Sequence, residues 1–102
     1  MILTSLGRIA VPAPGTPVAL STNTRTQAAR LIIQTAPSNT GKTYFGLKGM
    51  DKATLAGVSR VLAATDNYEV TTEDGMDGIQ LFQLAVDADN VGEGLLVSYW
   101  TE

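Results

Sequence analysis

Apolar and polar residues alternate over short stretches of this chain, and turn residues separate the stretches. Alternation with period two marks a strand with one buried face. Residues 2–11 form a first extended segment. Pro12, Pro14 and Pro17 then fall within six residues, which forbids helix and favours a bend or extended linker. Residues 18–20 read as a short strand and 21–26 as a polar loop. Residues 30–36, Arg-Leu-Ile-Ile-Gln-Thr-Ala, are apolar and β-branched, as a central strand requires. A turn at 37–41, with Asn39 and Gly41 supplying positive φ, leads into a strand at 43–48 that pairs back as a hairpin.

Residues 49–51 read as a turn. Residues 52–64 are divided: Leu55, Val58 and Leu62 sit at helical spacing behind a capping Asp51, but Gly57 interrupts, and a strand at 58–63 is preferred. Residues 68–72 form a strand, 73–78 a polar turn, and 79–86 a strand with Phe82, Leu84 and Val86 on one face. Residues 87–94 form a loop. In the last strand, 95–101, Leu95, Val97 and Tyr99 oppose Leu96, Ser98 and Trp100. About eight short strands result, so the expected fold is all-β: a single β-sandwich of jelly-roll type spanning residues 1–102. Residues 1–16 are either its first strand or an extended N-terminal arm.

Composition narrows the chemistry. The 102 residues include no Cys and no His. That removes disulfides, thiolate nucleophiles, sulfur-held metals and His-based couples. No apolar run approaches the about 18 residues of a membrane span, and no export signal opens the chain; synthesis and folding in a cytoplasm are expected. The net charge of −3 hides an uneven order: residues 1–60 carry +7 − 1 = +6, and residues 61–102 carry 0 − 9 = −9. Either strands of the two halves interleave, or the surface is bipolar and docks through charge. The basic residues are scattered and the pI is near 4.7, opposite to a nucleic-acid binder.

Four motifs bear on function. Gly41-Lys42-Thr43 lacks the upstream glycine of a phosphate loop, has Ala36 in its place, and leads into a strand rather than a helix. Asp87-x-Asp89-x-x-Gly92 resembles the opening of a calcium loop, but Val91 and Ser98 stand where ligands belong, so a solvated acidic turn is expected. Glu73, Asp74 and Asp77 offer paired carboxylates but no aromatic cleft for a glycoside. Tyr99-Trp100 is the main aromatic feature: Trp100 either anchors the core or one of the pair is an interface hot spot, on a terminal strand at risk of being a sheet edge. Arg8, Arg25, Arg30, Arg60, Tyr99 and Trp100 are the candidate interface residues. No catalytic, cofactor-binding or metal-binding residue and no cofactor are expected.

The order Gly7-Arg8-Ile9-Ala10-Val11-Pro12-x-Pro14-Gly15-Thr16-Pro17-Val18-x-Leu20-Ser21, then Asn39-Thr40-Gly41-Lys42-x-Tyr44-x-Gly46, Gly49-Met50 and Gly57-Val58, continues into Val86-Asp87-Ala88-Asp89-x-x-Gly92-Glu93-Gly94-x-Leu96-Val97-Ser98-Tyr99-Trp100. This pattern resembles the small β-rich virion structural proteins of tailed bacteriophages, which include capsid cement (decoration) proteins. Residues 22–30 and 65–80 follow it poorly. The resemblance implies a noncatalytic virion protein that binds the major capsid protein on the outside of the head and forms a homodimer or homotrimer. It implies no nucleic-acid or membrane partner. A tail, neck or fibre-attachment component and a glycan- or receptor-binding β-sandwich are the alternatives.

Overall fold

The computed structural model describes residues 2–21, 27–37, 39–64, 66–71 and 79–101. These form strands β1 (Ile2–Ala10), β2 (Val18–Ala19), β3 (Gln27–Ala28), β4 (Arg30–Thr35), β5 (Thr43–Asp51), β6 (Ala56–Leu62), β7 (Asn67–Thr71), β8 (Ile79–Gln80), β9 (Leu84–Ala88) and β10 (Gly94–Thr101). A 3₁₀ turn, Leu81–Gln83, is the only helical element among the described residues. The protein is all-β, and every strand pairing is antiparallel. One four-stranded sheet has the order β1-β10-β4-β7 and another β2-β9-β5-β6; β3 and β8 form a short ribbon.

The core draws on both four-stranded sheets. Leu31, Ile33, Leu95 and Val97 of the first meet Phe45, Leu62, Val86 and Ala88 of the second in one buried cluster that also takes in Val11, Leu20, Ala28 and Leu81. Alternation places these residues inward, and burial of apolar surface supplies the main stabilisation. A smaller cluster of Tyr44, Met50 and Ala85, with Val58 against it, is separate. The Cα radius of gyration is 12.8 Å, as expected for a compact chain of about 100 residues.

Several expectations are corrected. The strands at 30–36 and 43–48 do not form a hairpin: β4 lies between β10 and β7, so both its edges are used, and β5 pairs with β6 and β9 in the other sheet. Neither Asn39 nor Gly41 takes positive φ. Instead the Asn39 side chain lies buried against Gly94: its Nδ2 donates to the Gly94 carbonyl at 2.7 Å, and its Oδ1 accepts from the Gly94 N–H at 3.3 Å. That steers the chain from one sheet to the other.

The expected turn at 49–51 belongs to β5, which runs on to Asp51 with Met50 buried; the turn falls at 52–55, where Leu55 has φ 64°. The preferred strand over 58–63 is observed as β6. The strand expected over 79–86 is broken by the 3₁₀ turn, which lets Leu81 enter the core on the side that simple alternation would deny it. The terminal strand is no edge: β10 lies between β1 and β4. Residues 2–10 are a sheet strand in register with β10 rather than a detached arm. Strands of the two halves alternate across the first sheet, and Arg30–Glu69 and Lys52–Asp89 ion pairs join them. Among the described residues, interleaving therefore mixes the charges of the two halves.

Candidate interaction surface

The outward face of the first sheet is built in three cross-strand rows. Leu3, Trp100 and Arg30 form the first; Ser5, Ser98, Ile32 and Glu69 the second; Arg8, Leu96, Gln34 and Asn67 the third. The inward residues Leu95 and Val97 alternate with these along β10, so Leu96, Ser98 and Trp100 point away from the core. Trp100 is therefore not a core anchor. Tyr99 faces inward and packs against the core, which removes it as an exposed contact.

Arg8 reaches the outer face only because β1 is irregular. Strict alternation would put Arg8 on the side of Thr4 and Leu6. The register shifts between Ser5 and Gly7, and Gly7 sits at φ 69°. The bulge inserts one residue and reverses the alternation beyond it. Leu6 and Ile9 then both pack on the core while Arg8 turns outward. Gly7 between Leu6 and Arg8 is the signal that could reveal this, since an isolated glycine in a strand often marks a bulge.

The guanidinium of Arg8 donates to the Gly92 carbonyl. That of Arg30 pairs with Glu69 at 2.7 Å, both side chains being nearly half exposed. Exposed pairs of this kind add little stability; this one fixes the direction of Arg30 across the face. Small residues beside taller ones leave a hollow of about 170 Å³ lined by Ser5, Gly7, Ile32, Gln34, Leu96 and Ser98. At the rim, Leu3 is 51% exposed, and Ile2 at the open edge is 66% exposed.

Arg60 lies elsewhere. Its guanidinium sits 4.5 Å from the ring centroid of Tyr68, and Tyr68 meets Phe45 at 6.1 Å. It thus links β6 and β7, an end strand of each larger sheet. Arg25 and the acidic run Glu73, Asp74 and Asp77 fall outside the described residues. Three of the six candidates, Arg8, Arg30 and Trp100, share one face.

The expected solvated acidic turn is observed at 89–92, where Asp89 is exposed, but Asp87 belongs to β9 and is not part of it. Asp87 is fully buried; its Oδ1 accepts from the N–H groups of Gly15 and Ala88, and its Oδ2 has no partner among the described residues. Asp89 accepts from the Tyr44 hydroxyl at 2.9 Å and from Lys52. Burial, then this hydrogen bond, pushes the Tyr44 hydroxyl above its usual range. No group of three or more acidic side chains placed to hold a metal occurs among the described residues. Glu93 accepts from the N–H groups of Thr40 and Gly41 at 2.7 and 2.9 Å, from the Thr40 hydroxyl and from Asn90. Of the N–H groups of Gly41-Lys42-Thr43, that of Gly41 is thus given to a carboxylate of the chain itself. The spacing of 52 residues between Gly41 and Glu93 hides this pairing from any local pattern.

The backbone donors of Gly41 and Thr40 hold the Glu93 carboxyl below its ordinary range. A depressed carboxyl stabilises the fold fully above the unfolded value, near 4.5, and the contribution is lost as pH falls through the lower folded value. Glu93→Gln should therefore lower the melting temperature near pH 7 and cost progressively less towards about pH 3. Thermal melts of both proteins across that range test it; a constant difference would refute the clamp.

Comparison with protein-family models, with curated proteins and with solved structures returned no match.

Proposed function

We propose that this chain is a noncatalytic structural protein of a tailed-phage virion, a cement or decoration protein that binds the major capsid protein on the outside of the head and stabilises it. In this reading it works in the virion, self-associates, and needs no cofactor, nucleic acid or membrane. The two four-stranded sheets are read as halves of one jelly-roll-like sandwich, because residues of both meet in a single buried cluster.

The observation that carries the proposal is the outward face of the first sheet. It gathers an aromatic, two arginines, the exposed Leu3 and the partly buried Ile32 and Leu96 beside a strand edge that is free among the described residues. Aromatic and Arg anchors within an apolar patch are the usual makings of a protein interface. The resemblance of the turn pattern to that of small phage virion proteins is the ground for the kind of partner proposed. The commitment of Glu93 and Asp87 to backbone donors leaves these acids unsuited to acid–base work, which favours a binding role.

Heads stripped of the protein provide the test. Added protein should rebind saturably, with copies in the hundreds per particle, and should raise the temperature at which heads rupture. A copy number of about six or twelve would match the rotational symmetry of a tail or neck instead. A specific hit on a glycan array, with no head binding, would make the chain a glycan-binding module.

A further inference from the structure

Among the described residues, strand β1 has one partner, β10, and its other edge is open. The remaining edges of the two larger sheets carry features that discourage pairing. Strand β7 bears Glu69, β6 bears Arg60 and a broken register, and β2 is two residues long beside Pro17. Residues 2–6 of β1, Ile-Leu-Thr-Ser-Leu, have no charge and no proline. The nearest charge on the strand, Arg8, is tied to Gly92. A neutral, partly apolar edge, regular up to the bulge at Leu6, is a template for strand addition.

From this we infer that β1 pairs antiparallel with β1 of a second copy about a two-fold axis at Thr4. The register follows from the alternation. With Thr4 facing Thr4, Leu3 faces Ser5 of the second copy on the outer side, and Ile2 faces Leu6 of the second copy on the core side. Each residue then meets one from the same face of the sheet. The 66%-exposed Ile2 gains an apolar neighbour that already packs on the core. The bulge at Leu6 and Gly7 ends the pairing before Arg8, so like charges are not opposed. The arrangement uses the same edge on both copies, so it closes at a dimer and joins two four-stranded sheets into one of eight.

Five residues a side is far below the about 20–30 of a standard interface. The dimer is accordingly concentration-dependent, and crowding on a surface would favour it. It gives a form to the self-association in the proposed function and rests on that part of the reading alone. A monomer that still saturates stripped heads removes the dimer and leaves head binding intact; a dimer that ignores heads does the reverse.

The absence of cysteine makes the test clean. Opposed Cα atoms of an antiparallel pair lie about 4.5–5.5 Å apart, within disulfide range. Thr4→Cys should therefore form a linked dimer under mild oxidation at least about tenfold faster than Val91→Cys, whose site is 74% exposed and remote from β1. Sedimentation of the unmodified protein should show mass rising from monomer to dimer with concentration. Leu3→Lys, a charge on an exposed edge position, should hold it at monomer mass with an unchanged circular dichroism spectrum. A monomer at every concentration, or Thr4→Cys linking no faster than Val91→Cys, overturns the inference.

Discussion

Replacing Gly94 by alanine should destabilise the protein by about 3 kcal/mol or more, through backbone clash and overpacking. For a domain of this size that lowers the melting temperature by about 15 °C or more. A Cβ at this position would land on the carbonyl of Ile9 and come within 2.9 Å of the Ala10 Cα. Both are backbone atoms of β1, held in register with β10, so no side-chain rotation relieves the clash. The same residue is enclosed from the other side: its carbonyl accepts from Asn39 and Ala36, and its N–H donates to Asn39. Moving Gly94 away from β1 would press it into this buried contact. Gly49→Ala is the control. Its Cβ would meet nothing within 4 Å, and its φ is unexceptional, so stability should stay within about 0.5 kcal/mol. Urea denaturation of the three proteins measures the difference. Equal midpoints for Gly94→Ala and the parent would show that β1 does not approach β10 this closely.

Gly94 also marks the boundary between what local pattern carries and what it does not. The alternation of Leu95, Val97 and Tyr99 against Leu96, Ser98 and Trp100 is enough to identify both faces of β10, because side-chain direction in a strand is a local property. The β-branched run of β4 is legible for the same reason. Partner choice is not local. Gly94 reads as loop because its neighbours Gly92 and Glu93 are turn-forming, while its actual constraint comes from Ile9, 85 positions earlier. The hairpin expected between β4 and β5 fails likewise: sequence proximity favours it, but β10 and β7 occupy both edges of β4. Even the candidate interaction surface divides this way. Trp100 lies on it by simple alternation, whereas Arg8 lies on it only through the bulge at Gly7.

Trp100→Ala should weaken rebinding to stripped heads by about 30-fold, the about 2 kcal/mol expected of an aromatic hot spot. Trp100 stands beside Leu3 and Arg30 in one row of the outward face, so an incoming surface can cover its ring and exclude water at its rim. Arg8→Ala and Arg30→Ala should act more through the association rate, with effects that grow as salt is lowered. Their charges remain accessible at the edge of the patch, where attraction is felt before contact. Arg60→Ala separates a general charge effect from a located one. It removes the same +1 from the chain, but its guanidinium lies over Tyr68 at the β6–β7 seam. Rebinding should be unchanged by it. Retained affinity in Trp100→Ala with a loss in Arg60→Ala would move the contact to that seam. Equal losses from all three arginine variants, with Trp100→Ala neutral, would reduce the face to diffuse electrostatics, because only a located contact makes one side chain matter more than its charge.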